Sequence, residues 1–476
     1  MDPAEARAMN VRTTIVLAVL VALLGGYYVW SERQPKSEPG NSKLFAFDDK
    51  AVQEMTITRD GTTIGLKRDG ETWQLTRPVE AKADQGPVAT LVTGLTLARI
   101  ERTVEEQATN LADFGLEPPA LTVSLKVKDT AGPITLLLGK NSPAGSWVYA
   151  KRGDSPAVLM LPASLKGELE KTPTDLRDKT IITLDSSKAT RVELKSKDSF
   201  IVAAKSGTEW WLESASGGIK VMADGSAINR LVGAVSDLKA KEFVAEATAD
   251  FAKYGLARPD YRVTVSEKDA PTPKTVLIAR KTEKARTDSK APSPTPEQDQ
   301  AYVAVEGGKR VFLVEGKVLE DLKKSPLDLR DKRLLAFEIK DVKGLRLAWP
   351  DATIVLEKEG DNWKLTQPQA APADSGKALD LIYSVNGLRF KDIATEKPGD
   401  LARYGLAKPQ AEVIVKKTDN TDLPAIEFGK VDKEKNQLFA KVKNSPIVYV
   451  LEPRVLDDLP RDPATLKKED SKEKKR

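Results

Sequence analysis

The chain has 476 residues, 40% of them hydrophobic, which is enough for about three cores of ordinary domain size. It contains no histidine and no cysteine, which excludes Cys and His nucleophiles, histidine general bases, thiolate metal sites and disulfides. Lys plus Arg number 75 against 70 Asp plus Glu, and because both signs are interspersed, the concentrated basic face of a nucleic-acid-binding protein is not expected.

An apolar segment near the amino terminus predicts a membrane anchor. Residues 13–30 read TTIVLAVLVALLGGYYVW, without a charge and with a cluster of aromatic residues at one end. No small-residue cleavage site follows, so an uncleaved span is favoured over a signal peptide or a buried core helix. Residues 1–12 are then a short cytoplasmic tail and 31–42 a polar linker. The short tail favours a single-pass protein of the bacterial inner membrane with the bulk of the chain in the periplasm.

A pattern that occurs three times fills the rest of the chain. An aspartate that follows an alanine is succeeded thirty residues later by an aromatic-Gly-Leu triplet, and a proline stands four residues after the glycine. This spacing predicts three tandem modules, at 43–179, 180–332 and 333–462, with a charged tail at 463–476. The composition of about 281–300, rich in proline and charge, predicts a disordered insertion in the second module.

Each module is predicted to be α+β, a mainly antiparallel sheet with packed helices, so the fold class is an amino-terminal transmembrane helix followed by three such modules. Stretches of alternating hydrophobicity, such as 55–58 and 63–66 in the first copy, predict strands. A tryptophan recurs on the same predicted strand and is interpreted as a core residue rather than a sugar-stacking platform. The three tryptophans are Trp73, Trp210 and Trp363.

An amphipathic helix is predicted after these strands. Counted from the repeated aspartate, hydrophobic residues at the fourth, seventh, eighth and eleventh positions form the stripe of a buried helix face. We interpret the aspartates as caps of the helix amino terminus, and a basic residue at the fifteenth position as a complement to the opposite pole, rather than as catalytic or metal-binding groups. The aspartates are Asp84, Asp224 and Asp374, and the basic residues are Arg99, Lys239 and Arg389.

The glycine of each aromatic-Gly-Leu triplet is predicted to end a short helix in the left-handed conformation. These glycines are Gly115, Gly255 and Gly405. The proline that follows begins an extended strand, and leucine-rich segments at 163–169, 317–322 and 453–459 predict a closing helix in each copy.

A Leu-Arg-Asp-Lys motif stands where the first and second copies end, at 176–179 and 329–332, and a remnant is found at 459–462. We interpret Arg177, Asp178, Arg330 and Asp331 as residues of interdomain joints, with a solvated turn or a binding site as the alternatives. The motif degrades where no further module follows, which favours the joint.

No catalytic constellation, cofactor site or metal site is predicted. The chain has no nucleotide-binding glycine loop and no calcium-binding loop. Ser236 and Lys239 match the spacing of a Ser-Lys dyad, but the companion motifs are missing. A pair of carboxylates could in principle support glycoside hydrolysis.

Taken together, the apolar span, the W-x-L strands, the Ala-Asp helix starts, the aromatic-Gly-Leu triplets and the Leu-Gly-Lys strand ends resemble an uncharacterised bacterial family of domain-of-unknown-function proteins. Its members are commonly encoded beside an ABC-type exporter permease and a gliding-motility-like auxiliary protein. The resemblance covers roughly 1–462, although Ala279 and Arg280 replace the Gly-Lys of the other copies. It implies no catalytic residues.

The resemblance implies an envelope-side accessory whose partner is an inner-membrane ABC-type permease or another envelope protein. The leading hypothesis is therefore a non-enzymatic, membrane-anchored periplasmic scaffold or accessory subunit. The alternatives are an envelope glycan-binding protein that uses Trp147 or Trp349, and a carboxylate-based glycosidase-like enzyme.

Overall fold

A computed structural model describes residues 42–213, 220–281 and 299–469. Within them the chain forms three antiparallel sheets of nine strands each, one sheet for each predicted module. The three-module layout is therefore confirmed.

The first sheet has the order β4-β3-β2-β1-β6-β7-β8-β9-β5. Its strands are β1 (Val52–Arg59), β2 (Thr62–Asp69), β3 (Thr72–Arg77), β4 (Ala81–Lys82), β5 (Arg102–Glu105), β6 (Leu121–Val127), β7 (Ile134–Asn141), β8 (Trp147–Arg152) and β9 (Val158–Pro162), and its helices are α1 (Gln85–Leu97) and α2 (Ala163–Leu169). The central pair joins β1 to β6, with Met55 opposite Leu125 and Ile57 opposite Val123, so alternate residues of both strands point into one core.

The second and third sheets repeat this order. The second contains β10 (Ala189–Ser196), β11 (Phe200–Ser206), β12 (Glu209–Leu212), β13 (Val221–Met222), β14 (Glu242–Ala245), β15 (Tyr261–Glu267), β16 (Lys274–Arg280), β17 (Gln300–Val305) and β18 (Val311–Glu315), with helices α3 (Gly225–Ser236) and α4 (Lys317–Leu322). The third contains β19 (Val342–Ala348), β20 (Thr353–Glu359), β21 (Asn362–Gln367), β22 (Ala371–Pro372), β23 (Asp392–Thr395), β24 (Ala411–Lys417), β25 (Ile426–Asp432), β26 (Gln437–Val442) and β27 (Val448–Leu451), with helix α5 (Ser375–Asn386).

The long helix of each module packs its predicted hydrophobic stripe against the sheet. In α1 the buried face is Val88, Leu91, Val92 and Leu95, each at most 2% exposed. The recurring tryptophans are also buried, at 3–4% exposure. Burial of large aliphatic and aromatic side chains, each contributing roughly 1.5–3 kcal/mol, stabilises each module around its own core.

Short 3-10 helices connect these elements. They are Asp49–Ala51, Ala112–Phe114, Ser186–Lys188, Ala252–Tyr254, Pro326–Leu329, Ile339–Asp341, Ala402–Tyr404, Pro453–Leu456 and Pro463–Leu466. The predicted closing helix of the third copy is one of these, Pro453–Leu456, instead of an α-helix. Pro460 limits how far this helix can continue, since proline lacks the N–H that a continuing helix needs.

The predicted fold class is wrong and is corrected as follows. The modules are nine-stranded antiparallel sheets with few helices, because period-two stretches outnumber the single long amphipathic stretch of each copy. Within 42–213, 220–281 and 299–469, no helix is both long and apolar enough to cross a membrane. The segment 13–30, for which the span was predicted, lies outside the described residues, as does most of the predicted insertion at 281–300.

The described residues divide into two compact units. The first comprises 42–181 together with 238–248 and 310–314. The second comprises the remainder, and its last segment begins at residue 315. The end of the segment that follows the first module, up to residue 181, therefore lies in the same unit as β14. The corresponding parts of the chain after the second module lie in the second unit.

Candidate functional site: the joints between modules

An extended segment, residues 177–180, links the first module to the second and forms backbone pairs with residues of both. At its start, Arg177 pairs with Ala83, and the Asp178 N–H donates to the Lys82 carbonyl at 2.9 Å. Three residues later Thr180 pairs with Lys239, and the Ala240 N–H donates to the Lys179 carbonyl at 2.8 Å. One short stretch of chain therefore closes one module and opens the next.

The register of this segment is set by a turn just before it. The Thr172 N–H donates to the Asp175 carboxylate at 2.8 Å, and Ser325 donates to Asp328 in the same way at the second joint. Hydrogen bonds from Thr172 and Ser325 hold the pKa values of Asp175 and Asp328 below their usual range. Such reciprocal caps fix where the extended segment begins.

Arg177 is the centre of the first joint. It is only 4% exposed and donates two hydrogen bonds to the carboxylate of Glu246, one of them from Nη2 to Oε2 at 2.9 Å. Its guanidinium carbon lies 3.6 Å from the centroid of the Phe243 ring, which packs edge-on against Phe312. A planar, weakly hydrated cation suits this combination of a carboxylate and a ring face better than lysine would.

The contact with Arg177 changes the pKa of the Glu246 carboxylate. The hydrogen bond from Arg177 lowers the pKa of Glu246, while its partial burial works in the opposite direction. Arg310 adds a weaker contact, with its Nε 3.6 Å from Glu246 Oε2. Glu246 is 43% exposed, so one partner of the ion pair is buried and the other is half in water.

The second joint repeats the arrangement. Arg330 pairs with Ala223, Arg333 pairs with Arg389, and the Phe390 N–H donates to the Lys332 carbonyl at 3.0 Å. Arg330 is 5% exposed and donates to the Glu396 carboxylate. A buried arginine bound to a glutamate of the following module is thus common to both joints.

The aspartate of each joint accepts a hydrogen bond from the backbone N–H two residues further along the same segment. Asp178 Oδ1 accepts the Thr180 N–H at 2.9 Å, and Asp331 Oδ1 accepts the Arg333 N–H at 3.0 Å. Burial by itself would raise the pKa of Asp331, but hydrogen bonds from the Arg333 side chain and backbone lower it. The structure thus places Arg177, Asp178, Arg330 and Asp331 together in two equivalent joints.

The remnant predicted at 459–462 is not the third copy of this motif. Leu459 is buried in the core of the third module, and the Pro460 carbonyl accepts a hydrogen bond from Trp349 Nε1 at 3.1 Å. The equivalent segment is 466–468, where the Asp374 N–H donates to Leu466 and the Lys468 N–H donates to Pro372. The turn at Asp462 fixes this register, and two lysines stand where the other copies have Arg-Asp.

The glutamates that receive the arginines are the functional residues that the sequence reasoning missed. Glu246 and Glu396 stand at the same spacing, 22 residues, after Asp224 and Asp374, and Glu106 stands at that spacing after Asp84. This recurrence was a usable signal. It was missed because a glutamate directly after a short strand has no local pattern that distinguishes it.

The other predicted residues have structural roles. Asp84, Asp224 and Asp374 stand at the amino ends of α1, α3 and α5, and their side chains accept hydrogen bonds from the first backbone N–H groups. The three triplet glycines have φ values of 67°, 73° and 71°, which is the left-handed region. Arg99, Lys239 and Arg389 lie beyond the helix ends instead of in the last turn, and their backbones pair with the segment that enters each module.

One of the two tryptophans considered for glycan binding, Trp349, is buried. Trp349 is 5% exposed, and Arg461 covers its ring at 4.1 Å from the centroid. Trp147 is partly buried in β8.

Ser236, which together with Lys239 matches the spacing of a Ser-Lys dyad, donates hydrogen bonds to the Gly233 carbonyl and to the Asp237 carboxylate.

A cleft of about 320 Å³ adjoins Arg330 at the second joint. Its lining includes Trp211, Lys220, Arg333, Phe390 and Tyr449, which combine rings with cations. In the part of the chain that the structure describes, no cluster of three or more Asp or Glu residues is arranged to hold a metal ion.

Comparison with known proteins identifies repeated domains of one family. The family model described as "Domain of unknown function (DUF4340)" matches residues 73–221, 215–394 and 363–473. No curated protein matches the chain. Similar solved structures include a DNA polymerase sliding clamp from Pseudomonas aeruginosa, 8% identical over 86% of this chain and 93% of that one, with a TM-score of 0.13. A beta clamp from H. pylori in complex with diflunisal is 8% identical over 87% and 94%, with a TM-score of 0.13. These likenesses are too weak to bear on fold or function.

Proposed function

The chain belongs to the DUF4340 family, a family of unknown function whose domain it carries in three copies, and we propose that it is a non-enzymatic scaffold that acts through protein–protein contacts of its modules. In this proposal the repeated unit provides surface and spacing. The differences between copies then determine which partner each module contacts.

The observation that carries the proposal is how the two buried arginines are used. Arg177 and Arg330 are the charged residues with the least exposure in the described chain, and both serve to join one module to the next. Enzymes commonly place perturbed or buried charges around a reacting centre. Here those charges connect one module to the next along the chain, which is what a scaffold requires.

The partner class follows from the resemblance of the repeated motifs. We propose an accessory role on the outer side of a bacterial inner membrane, with an ABC-type permease or another envelope protein as the partner. This part of the proposal rests on the resemblance alone, whereas the scaffold role rests also on the joints.

The proposal is tested by crosslinking in living cells. A photoreactive amino acid is placed at one exposed hydrophobic position in each module, namely Leu97, Phe200 and Tyr383, which are 50–62% exposed. We expect mass spectrometry to identify an envelope protein, such as a transporter permease, crosslinked from at least one position. The matched control places the same amino acid at Gly132, an exposed turn with open space around it.

Two results would overturn the proposal. One is recovery of the full chain without any crosslinked partner from all three positions. The other is turnover of an envelope glycan by the purified chain, since a scaffold has no hydrolytic activity.

A further inference from the structure

The cleft at the second joint contains groups that the joint itself does not need. The Arg330–Glu396 pair and the backbone pairs at Ala223 and Arg389 already connect the modules. The side chains of Trp211 and Lys220 take no part in that connection, yet both line the cleft. They lie with the Lys220 Nζ 5.3 Å from the centroid of the Trp211 ring.

The first joint lacks these groups. Trp211 pairs with Met222 in the second sheet, as Gln74 pairs with Lys82 in the first. Gln74 and Glu80 therefore occupy the positions equivalent to Trp211 and Lys220. Similarly, Thr180 pairs with Lys239 where Arg333 pairs with Arg389, so a neutral residue replaces a cation. Of the two joints, only the second therefore has an aromatic ring at the position of Trp211 and cations at the positions of Lys220 and Arg333.

The ring beneath the joint arginine also differs. Phe243 faces the Arg177 guanidinium and is paired across the strands with Phe312. The equivalent of Phe243 at the second joint is Ile393, which is paired with Tyr449. The smaller aliphatic side chain cannot offer the arginine a ring face.

The charges of the cleft favour an anionic occupant. Arg330 is bound to Glu396 and Arg333 is bound to Asp331, so each of these cations already has a carboxylate. Lys220 has the Trp211 ring and, within the described residues, no carboxylate partner. A ligand with a negative group would supply the missing charge, and the nearby guanidinium of Arg333, 36% exposed at its side chain, would donate a further hydrogen bond.

The shape and the rings favour an aromatic body. Trp211 is half-buried, and Phe390 packs on Tyr449 with ring centroids 4.8 Å apart. About 320 Å³ is at the low end of small-ligand pockets, which suits one ring and its neighbouring acid group. Offset or edge-to-face contact with aromatic walls would orient such a ring.

We infer that this cleft binds an aromatic side chain adjacent to an aspartate or glutamate, presented by a partner protein. The inference rests on the proposed scaffold function, because it names the chemistry of a partner. The ring packs against Trp211, and the acid group faces Lys220 and Arg333.

The test uses the full chain and the peptide acetyl-Asp-Phe-Asp-amide as the probe, with binding followed by isothermal titration calorimetry. The comparison peptides are acetyl-Asn-Phe-Asn-amide, which lacks the charge, and acetyl-Asp-Ala-Asp-amide, which lacks the ring. The variants are Trp211→Ala and Lys220→Glu. Lys205→Glu is the matched control, because it makes the same charge change beside Trp210, another tryptophan of the same module.

We expect the acidic aromatic peptide to bind the wild-type chain at least tenfold more tightly than either comparison peptide. Trp211→Ala and Lys220→Glu should each lose tenfold or more, and Lys205→Glu should bind like wild type. Both changed side chains are half-buried or exposed, so circular dichroism should show an unaltered fold.

Equal binding by the wild type and both cleft variants would overturn the inference. So would binding of free 1-naphthalenesulfonate without binding of the peptide, since the cleft would then take a small aryl anion and not a partner segment. Failure here is distinct from failure of the scaffold proposal: a partner that still crosslinks to Lys220→Glu as to wild type docks elsewhere on the scaffold.

Discussion

Replacing Arg177 with alanine should loosen the first joint without unfolding either module. The change removes a side chain that is 4% exposed, two hydrogen bonds to Glu246 and a stacked contact with Phe243. Breaking a fully buried ion pair costs about 3–5 kcal/mol, but Glu246 is 43% exposed and can be rehydrated, which reduces that cost. With the loss of the ring contact included, we expect about 2–4 kcal/mol.

The readout is hydrogen exchange in the full chain. Because a chain of three modules does not unfold in a single step, local protection is more informative than one melting temperature. The reporters are the N–H groups of Asp178 and Ala240, which bond to Lys82 and Lys179 across the joint. At 1.4 kcal/mol for each tenfold, their exchange should accelerate by about 30-fold to 700-fold.

Two comparisons make the result decisive. Arg177→Met also leaves Glu246 without its partner, but it keeps an apolar side chain against Phe243, so it should cost less than the alanine variant. Arg310→Ala removes a 52% exposed arginine that touches the same glutamate at 3.6 Å, and should cost less than about 1 kcal/mol. Unchanged protection in Arg177→Ala, or equal effects of Arg177→Ala and Arg310→Ala, would refute the reasoning.

Further outcomes follow from other contacts. The pKa of Glu246 is lowered below its ordinary value of 4.5. The stability that the Arg177–Glu246 pair provides is therefore present above about pH 4.5 and is lost as the pH falls through the folded-state pKa. Hydrogen exchange at the joint should show this loss in wild type and not in Arg177→Ala. Gly139→Ala makes a Cβ collide with the Phe114 carbonyl oxygen and should cost about 3 kcal/mol or more, whereas Gly132→Ala has open space and should be nearly neutral in thermal unfolding. Asp374→Ala removes the acceptor for the Gly376 and Lys377 N–H groups and should weaken exchange protection of α5 by about 1 kcal/mol, whereas Asp374→Asn should retain most of it.

Local patterns in the sequence predicted local structure well. The spacing of Val88, Leu91, Val92 and Leu95 identified the buried face of a helix, because helical periodicity is visible in any single stretch of chain. The left-handed backbone at Gly115 was predictable for the same reason: only nearby residues decide it. The regular repeat of these signals also predicted three modules.

The same reasoning failed where the answer depended on distant partners. The local pattern predicts Arg99, Lys239 and Arg389 as helix-end charges, but the helices end before them and their backbones pair with the segment that enters each module. The third copy of the joint motif was placed at 459–462 because Leu-x-Arg-Asp resembles it. Backbone pairing with Pro372 and Asp374 selects 466–468 instead.

What the sequence determined by itself, then, is the module: its strands, its capped helix and its threefold repetition, all encoded in contacts within short stretches. The tertiary structure decided how modules are joined and what the joints contain. Arg177 and Glu246 are far apart along the chain, and neither side chain has a local pattern that points to the other. Only the folded backbone brings a buried guanidinium, a carboxylate and a ring together at the first joint, and at the second joint it places an aromatic and cationic cleft beside the buried Arg330.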